Sequence, residues 1–185
     1  NVEQEVDRAR DIVKGLLEFA RAKDFTLKAT PLKGVVDRTL RLISSQVPAG
    51  IDLVEQVPDN LVLRLDAQRM QEALLNLIMN GIQALDKKPG QIKVEARVDK
   101  DQQQAVITVA DTGPGISKQD LGRIFDPFFT TKEVGAGTGL GLSIVYGIVQ
   151  KHQGTITAES TEGEGTRFII RLPFGPATPE ERPSP

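Results

Sequence analysis

Four short motifs follow one another in this chain, and their order limits its possible folds more than any other feature. They are Asn76-Leu-Ile-Met-Asn80, Asp111-Thr-Gly-Pro-Gly115, Phe125-Asp-Pro-Phe-Phe129 and Gly137-Thr-Gly-Leu-Gly141. Each is weak evidence alone, because Asp-Thr-Gly turns and glycine-rich loops are common. As an ordered set they describe one site built from a helix, the end of a strand and two loops.

The first motif places two asparagines on one face of a helix. Asn76 and Asn80 are four residues apart in an apolar segment, a spacing that brings both amides to the same side of a helix. Mg²⁺ takes oxygen ligands and keeps several waters, so a neutral amide oxygen suits it once phosphates supply the rest. The pair is a candidate magnesium site. The alternative is that both amides bond backbone groups, since buried amides are costly without a partner.

The second motif places a carboxylate and two glycines at the end of an apolar strand. An ionised carboxylate only accepts hydrogen bonds. Asp111 therefore suits the amino group of adenine and opposes the carbonyl that guanine has at the same place. Gly113 and Gly115 permit unusual backbone angles and close approach. A simple strand-to-loop turn is the alternative for this tripeptide taken alone.

The third and fourth motifs predict loops, the last of them close to phosphates. Phe125, Phe128 and Phe129 lie in one loop, which we expect to dock on the domain or on a partner surface. Lys132 is the only cation near enough in sequence to serve the phosphates. The last glycines run into a helix predicted from Thr138, whose N-terminal N–H groups and dipole favour phosphate. No Gly-Lys-Ser/Thr follows, so this is not a P-loop; a plain loop hinge and local packing are the alternatives.

The remaining periodicity predicts helices on one face of a mixed sheet. Pro31 begins a unit with helical apolar spacing as far as Ile43, and Asp66 is a natural N-cap for a long helix ending near Leu85. The last helix should end near His152. Strands are predicted at Ile51–Val57, Leu61–Leu65, Ile92–Val98, Ala105–Ala110, Thr155–Ser160 and Thr166–Leu172, with a turn at 163–165. The stretch 112–137 is rich in glycine and poorly periodic. The predicted fold class is α+β, a two-layer α/β sandwich.

The two ends of the chain differ from the unit at residues 30–175. Residues 1–23 predict one long helix with apolar residues at alternating steps of four and three: Val2, Val6, Ala9, Val13, Leu16 and Ala20. A charged linker at 21–24 favours a helix of an oligomeric bundle, and packing on its own domain is the alternative. Residues 176–185 are polar and proline-rich and predict a disordered tail.

Composition excludes several classes of function. The 185 residues include no cysteine, which excludes disulfides and thiol chemistry, and one histidine, which argues against a zinc site. The formal net charge is −2 without a basic block, so we expect no nucleic-acid partner. No apolar run approaches the ~18–20 residues that span a bilayer, so we expect a soluble, cytoplasmic segment without membrane contact. His152 ends a helix, where a cation interacts well with the dipole, and we expect a structural role for it.

Taken in order, the motifs resemble the boxes of the catalytic ATP-binding domain of sensor histidine kinases. The closing segment Gly163-Glu-Gly-Thr-Arg-Phe168 shares this resemblance, which covers roughly residues 30–174. The segment Arg8–Arg21 is similar to the second helix of that family's dimerisation and phosphotransfer hairpin. Phe128-Phe-Thr-Thr-Lys132 looks most like the nitrogen-regulation branch. The resemblance implies a Bergerat-type fold, preceded by one long helix, with a mobile lid at about 115–137.

The same resemblance implies a role for each group of motif residues. Asn80 would hold Mg²⁺ with support from Asn76, Asp111 would bind adenine with Thr166 behind it, and the lid phenylalanines would couple to the hairpin. The implied catalytic residues are Asn76, Asn80 and Lys132. The implied ATP-binding residues are Asn76, Asn80, Asp111, Gly113, Gly115, Ile116, Lys132, Thr138, Gly139, Leu140, Gly141 and Thr166. Related kinases often have a basic residue where this chain has Gln83, which leaves phosphate charge to Mg²⁺, backbone amides and Lys132.

The activity implied is phosphoryl transfer from ATP to a histidine on a helix before residue 1, then to an aspartate of a response-regulator receiver domain. The intact protein would be a homodimer through its hairpin. The main alternative is ATP hydrolysis, since the fold resemblance extends to DNA gyrase, mismatch-repair ATPases and a heat-shock chaperone family. Those carry Glu where this chain has Asn76, and an amide cannot take a proton from water; Glu72 is the remaining candidate base. A serine-kinase relative and a non-catalytic nucleotide sensor are further alternatives.

Overall fold

The computed structural model describes residues 25–131 and 138–174, which form two layers, a five-stranded sheet and a set of helices. The helix predicted for residues 1–23, the tail predicted for 176–185, and two predicted loop residues, Lys132 and Gly137, lie outside the described residues. In the described ranges, no helix combines the length and apolar character that crossing a membrane requires.

Along the chain, the strands occur mostly as consecutive pairs that are separated by helices. The elements are β1 (Lys28–Pro31), α1 (Leu32–Ile43), a 3₁₀ turn (Ser44–Gln46), β2 (Ile51–Gln56), β3 (Val62–Leu65), α2 (Ala67–Leu85), β4 (Gly90–Asp99), β5 (Gln104–Asp111), α3 (Lys118–Leu121), α4 (Gly141–Lys151), β6 (Thr155–Thr161) and β7 (Gly165–Pro173). The sheet order is β2-β4-β5-β7-β6, with β2 parallel to β4 and the other neighbours antiparallel. The predicted α+β sandwich with a mixed sheet is confirmed.

Helix α2 is the centre of the helical layer. Asp66 caps it as predicted, because its side chain accepts a hydrogen bond from the backbone N–H of Arg69 at 3.0 Å. The helix contacts α1, α4, β4 and β5. Its buried apolar residues recur at helical spacing and form the middle of the core: Met70, Ala73, Leu74, Leu77, Ile78, Ile82 and Leu85.

The strand register carries three polar residues to one end of the helix-facing side of the sheet. Val109 and Phe168 pair across β5 and β7 and belong to the core. Two residues further along β5, Asp111 pairs with Thr166, which in turn pairs with Ser160 on β6. Because side chains alternate between faces, all three lie on the same side as the core.

Three local features differ from the prediction. Helix α4 begins at Gly141 rather than Thr138, since Gly139 has a φ of +66° and cannot continue a right-handed helix. A four-residue helix, α3, lies in the stretch expected to lack periodicity, and the Ser117 hydroxyl caps it by accepting the Asp120 N–H at 3.2 Å. The predicted strand β3 pairs with the unpredicted β1 in a separate two-stranded ribbon.

Candidate nucleotide-binding site

The asparagine pair of α2 lies beneath the N-terminus of α4. Both side chains are half-buried. Asn76 donates its amide to the backbone carbonyl of Glu72 at 3.0 Å, so the backbone-bonding alternative is correct for this N–H group. Its amide oxygen points to Gly141, where a β-carbon would lie 3.1 Å from it. The side-chain amide of Asn80 makes no hydrogen bond to any other described residue, so it is open to a ligand.

The carboxylate of Asp111 lies beside Gly81, the residue that follows Asn80 in α2. A β-carbon on Gly81 would lie 3.1 Å from that of Asp111 and 2.7 Å from the tip of Ile92, so a larger residue there would require these side chains to shift. Asp111 accepts the backbone N–H of Gly113 at 2.8 Å and also that of Thr166. Burial raises the pKa of Asp111 above its ordinary value, and the two hydrogen bonds counteract part of this rise.

The loop after Asp111 rests on the turn between β6 and β7. The Gly163 N–H donates to the carbonyl of Pro114 at 2.7 Å, and the Ile116 N–H donates to the Ser160 hydroxyl at 2.8 Å. Gly115 has a φ of +76°, and a β-carbon there would lie 2.2 Å from the carbonyl oxygen of Thr161. These contacts hold Gly113, Gly115 and Ile116, all predicted binding residues, in a fixed loop.

Sequence reasoning missed Ser160. The predicted turn at 163–165 already implied that Ser160 and Thr166 face each other across a hairpin, which was the available signal. The structure confirms that pairing, with the two hydroxyl oxygens 3.1 Å apart. Thr166 is 7% exposed, so its hydroxyl is part of the wall beside Asp111 rather than a surface group.

The aromatic motif closes the site on the side of α4. Phe125 packs between Tyr146 of α4 and Phe168 of β7, with ring centroids 6.0 and 6.4 Å away. Phe129 lies under the guanidinium of Arg123 at 4.7 Å. Both therefore follow the local-packing alternative. Phe128 is 54% exposed, and it is the phenylalanine of the motif that faces solvent.

A backbone hydrogen bond connects the glycine motif to the aromatic motif. Phe128, at a φ of +67°, donates its N–H to the carbonyl of Gly139 at 2.9 Å. No side chain caps the start of α4, whose preceding residue is Leu140. The Leu140 N–H bonds the Thr138 hydroxyl at 3.3 Å. The first N–H groups of the helix, beginning at Gly141, have no partner among the described residues, and they lie directly above the asparagine pair, where they can bind an anion.

Glu72 does not lie free at the site. Its carboxylate forms a salt bridge with Arg69 one turn earlier on the same helix, with N–O distance 2.9 Å. Glu72 lines a cleft between α2 and α4, and none of the motif residues lines that cleft. The other lining residues are Phe25, Arg69, Ile144, Gly147, Ile148 and Lys151. The arrangement weakens the case for Glu72 as a base in ATP hydrolysis.

His152 has the expected structural role but as a neutral ring. Its Nε2 accepts the backbone N–H of Asp66 at 3.0 Å, so Nδ1 carries the proton and donates to the carbonyl of Ile148 at 2.8 Å. Burial lowers the pKa of His152, which the Ile148 carbonyl and the Asp66 carboxylate partly offset. The ring also meets Phe25 edge-on at 4.7 Å. The expected cation at the helix end is therefore wrong, because a protonated Nε2 would lose the Asp66 hydrogen bond.

The comparison with protein families agrees with this geometry. The family described as "Histidine kinase-, DNA gyrase B-, and HSP90-like ATPase" matches residues 65–176. This range is more than half of the chain and contains all four motifs, Asp111 and Thr166 included. The chain belongs to this family.

Within that family, the chain is similar to sensor histidine kinases. It is 37% identical to sensor histidine kinase ZraS of Salmonella typhi, over 92% of this chain and 36% of that protein. The chain thus spans about a third of that curated relative. Two solved structures are similar in fold. Full-length ShkA in complex with AMPPNP has TM-score 0.78 and 28% identity, covering 91% of this chain and 36% of that one. Histidine kinase ThkA in complex with response regulator protein TrrA has TM-score 0.77 and 28% identity, covering 98% and 51%.

Proposed function

We propose that this chain is the ATP-binding catalytic part of a sensor histidine kinase and that it transfers the γ-phosphoryl group of ATP to a histidine. One observation carries the proposal. The start of α4 lies over the asparagine pair of α2, and Gly81, the residue after Asn80, lies against Asp111 of β5, although these segments are far apart in sequence. One related protein of known structure, full-length ShkA, is in complex with AMPPNP, an ATP analogue.

Each end of the nucleotide has a set of complementary groups. At the base end, Asp111 accepts from the amino group of adenine, Thr166 lies behind it, and Gly113, Gly115 and Ile116 hold the loop. At the phosphate end, the N–H groups at the start of α4, from Gly141 onwards, and the dipole of α4 bind the phosphates, with Thr138, Gly139 and Leu140 in the loop before them. Lys132, a predicted catalytic and phosphate-binding residue, would add a positive charge there.

The donor set at the phosphate end fits Mg²⁺. Asn80 offers a neutral amide oxygen without a partner among the described residues, and Asn76 holds a second oxygen beside Gly141. A hard cation that keeps its waters and binds phosphate needs few protein oxygens. Asn80 would hold the ion, with Asn76 beside it. When bound, the ion supplies charge neutralisation for the transferred phosphoryl group.

The phosphoryl acceptor is a histidine outside this sequence. The single histidine, His152, is 5% exposed and uses both ring nitrogens in backbone hydrogen bonds. We assign the acceptor to a helix of the dimerisation hairpin, whose second helix we place at residues 1–23. The partners proposed are a second copy of the chain through that hairpin and a receiver domain that accepts the phosphoryl group on an aspartate. We place the domain in the cytoplasm, where ATP is available.

ATP hydrolysis is the second candidate function. The family includes ATPases, and the only carboxylate one turn from Asn76 is Glu72. Its salt bridge with Arg69 and its position in a separate cleft count against a role as base. Activation of water by Glu72 would require its carboxylate to reach the γ-phosphate from that cleft.

The test uses the chain extended upstream by one helix. With Mg²⁺ and γ-labelled ATP, we expect acid-labile, base-stable label on the extended protein, and no label on the 185-residue chain without that helix. Asn80→Ala should abolish labelling, whereas Asn60→Ala, in the exposed β2–β3 connection, should not. Steady release of free phosphate without protein label would reject the kinase and favour hydrolysis.

A further inference from the structure

The hydroxyl of Ser160 joins three parts of the candidate adenine end. It accepts the N–H of Ile116, at the end of the loop that follows Asp111, at 2.8 Å. It donates to the carbonyl of Gly165 in the β6–β7 turn, also at 2.8 Å. Its oxygen is 3.1 Å from the hydroxyl oxygen of Thr166. One side chain therefore contacts the loop, the turn and the second base-facing residue at once.

Counting protons fixes the direction of the contact between the two hydroxyls. A serine hydroxyl has one proton to donate and two lone pairs with which to accept. Ser160 uses its proton on Gly165 and one lone pair on Ile116. The remaining lone pair can only accept, so Thr166 is the donor in the 3.1 Å contact. The proton of Thr166 is thus directed at Ser160, and only lone pairs of Thr166 face the site.

We propose that Ser160 is a positioning residue for base selection, because it keeps Thr166 an acceptor beside the carboxylate of Asp111. This inference rests on the proposed function, in which Asp111 accepts from the amino group at position 6 of adenine and the buried Thr166 hydroxyl lies in the wall beside it. Two acceptors there favour an amino group and disfavour a carbonyl oxygen. If the Ser160 hydroxyl is removed, the Thr166 hydroxyl can rotate and donate to a carbonyl.

Three nucleotides differ at position 6 of the purine, and the inosine nucleotide also carries a proton on N1. At position 6, ATP has an amino group, purine riboside triphosphate has hydrogen, and inosine triphosphate has a carbonyl oxygen. Their affinities for the chain with Mg²⁺ would be measured by calorimetry for the wild type, Ser160→Ala and Ser160→Thr. Thr157→Ala is the matched control, since it removes a hydroxyl from the same strand on the exposed face.

For the wild type we expect ATP to bind most tightly and inosine triphosphate most weakly. In Ser160→Ala the ratio of the affinity for purine riboside triphosphate to that for inosine triphosphate should fall roughly 3- to 10-fold. This factor corresponds to one neutral hydrogen bond. Ser160→Thr keeps the hydroxyl and should restore the wild-type ratio. Thr157→Ala should leave all three affinities unchanged.

Two results would overturn the inference in distinguishable ways. If Ser160→Ala weakens all three nucleotides by one common factor, or none of them, Ser160 only supports the loop and does not select the base. If the wild type binds none of the three, the proposed function fails and the inference fails with it. Unfolding curves in urea would show that each variant is folded during the titrations.

Discussion

The backbone of Gly141 lies against the side-chain oxygen of Asn76. A β-carbon on Gly141 would lie 3.1 Å from that oxygen, a contact tighter than most β-carbons make. The two residues belong to the fourth and the first motif. Their contact brings the start of α4 directly over the asparagine pair of α2, so phosphates bound by the helix end would lie beside the amide that we assign to Mg²⁺.

We expect Gly141→Ala to weaken the binding of ATP with Mg²⁺ by roughly 10-fold, about 1.4 kcal/mol. The added methyl group presses on Asn76, which cannot turn away without losing its hydrogen bond to Glu72. The measurement is a calorimetric titration. Gly34→Ala is the control, since a β-carbon on that helical glycine meets nothing within 4 Å. Gly34→Ala should leave affinity unchanged and stabilise the fold by about 0.5–1 kcal/mol; equal ATP affinity of the two variants would contradict the proposed geometry.

Gly115→Ala should destabilise the fold more than Gly163→Ala. Both glycines have a left-handed backbone, with φ of +76° and +86°, so both substitutions cost about 1–2 kcal/mol of backbone strain. Only Gly115 also presses on a neighbour, the carbonyl oxygen of Thr161, which should add about 1–3 kcal/mol. Urea unfolding of the two variants measures the difference. Equal losses would show that the loop shifts without cost.

Asp111→Asn should weaken ATP binding roughly 10- to 100-fold, since a hydrogen bond to a charged acceptor contributes about 1.5–3 kcal/mol. The asparagine oxygen can still accept the Gly113 N–H, and the burial that raises the pKa of Asp111 no longer opposes folding. The variant should therefore be at least as stable as the wild type at neutral pH. ATP affinity of the wild type should fall as pH falls through this raised pKa, whereas that of the variant should not. A variant that loses affinity because it unfolds would contradict this role.

The neutral state of His152 predicts a loss of stability on acidification. Because burial lowers its pKa in the folded state, the unfolded chain takes up the proton first. The free energy of unfolding should fall as pH drops from about 6.5 towards the lower folded pKa, at no more than about 1.4 kcal/mol per pH unit. Urea unfolding at a series of pH values would measure this. His152→Gln should remove this component of the slope, and an unchanged slope would show that other groups cause it.

The structure confirms those predicted helices and strands whose sequences have a clear local pattern of apolar and capping or turn residues. The apolar face of α2 follows from the spacing of its apolar residues, and its N-terminal cap depends on one side chain, Asp66, that bonds its own helix. The six predicted strands all occur, since each is an apolar or alternating run between turn residues. The predicted start of α4 at Thr138 was wrong, because Gly139, with its left-handed backbone, lies in the loop before the helix and not in its first turn.

Contacts between distant segments could not be predicted in this way. The pairing of β1 with β3 depends on strands that are short and weakly patterned. The charge state of His152 depends on the N–H of Asp66, a residue far away in sequence. The role of Ser160 depends on three partners, one in the loop after Asp111 and two at the start of β7. Most of the deciding groups in these cases are backbone atoms, which the sequence does not mark.

The sequence by itself determined which chemical groups the site contains: two amides, one carboxylate and a glycine-rich helix start, in an order typical of a nucleotide-binding fold. The tertiary structure alone decided which of those groups meet. It turned Asn76 towards Gly141, closed Gly81 against Asp111 and directed the proton of Thr166 at Ser160. The physical reason is that residue types and spacing set local conformation, whereas hydrogen-bond direction and close approach depend on the packing of α2 and α4 against the sheet.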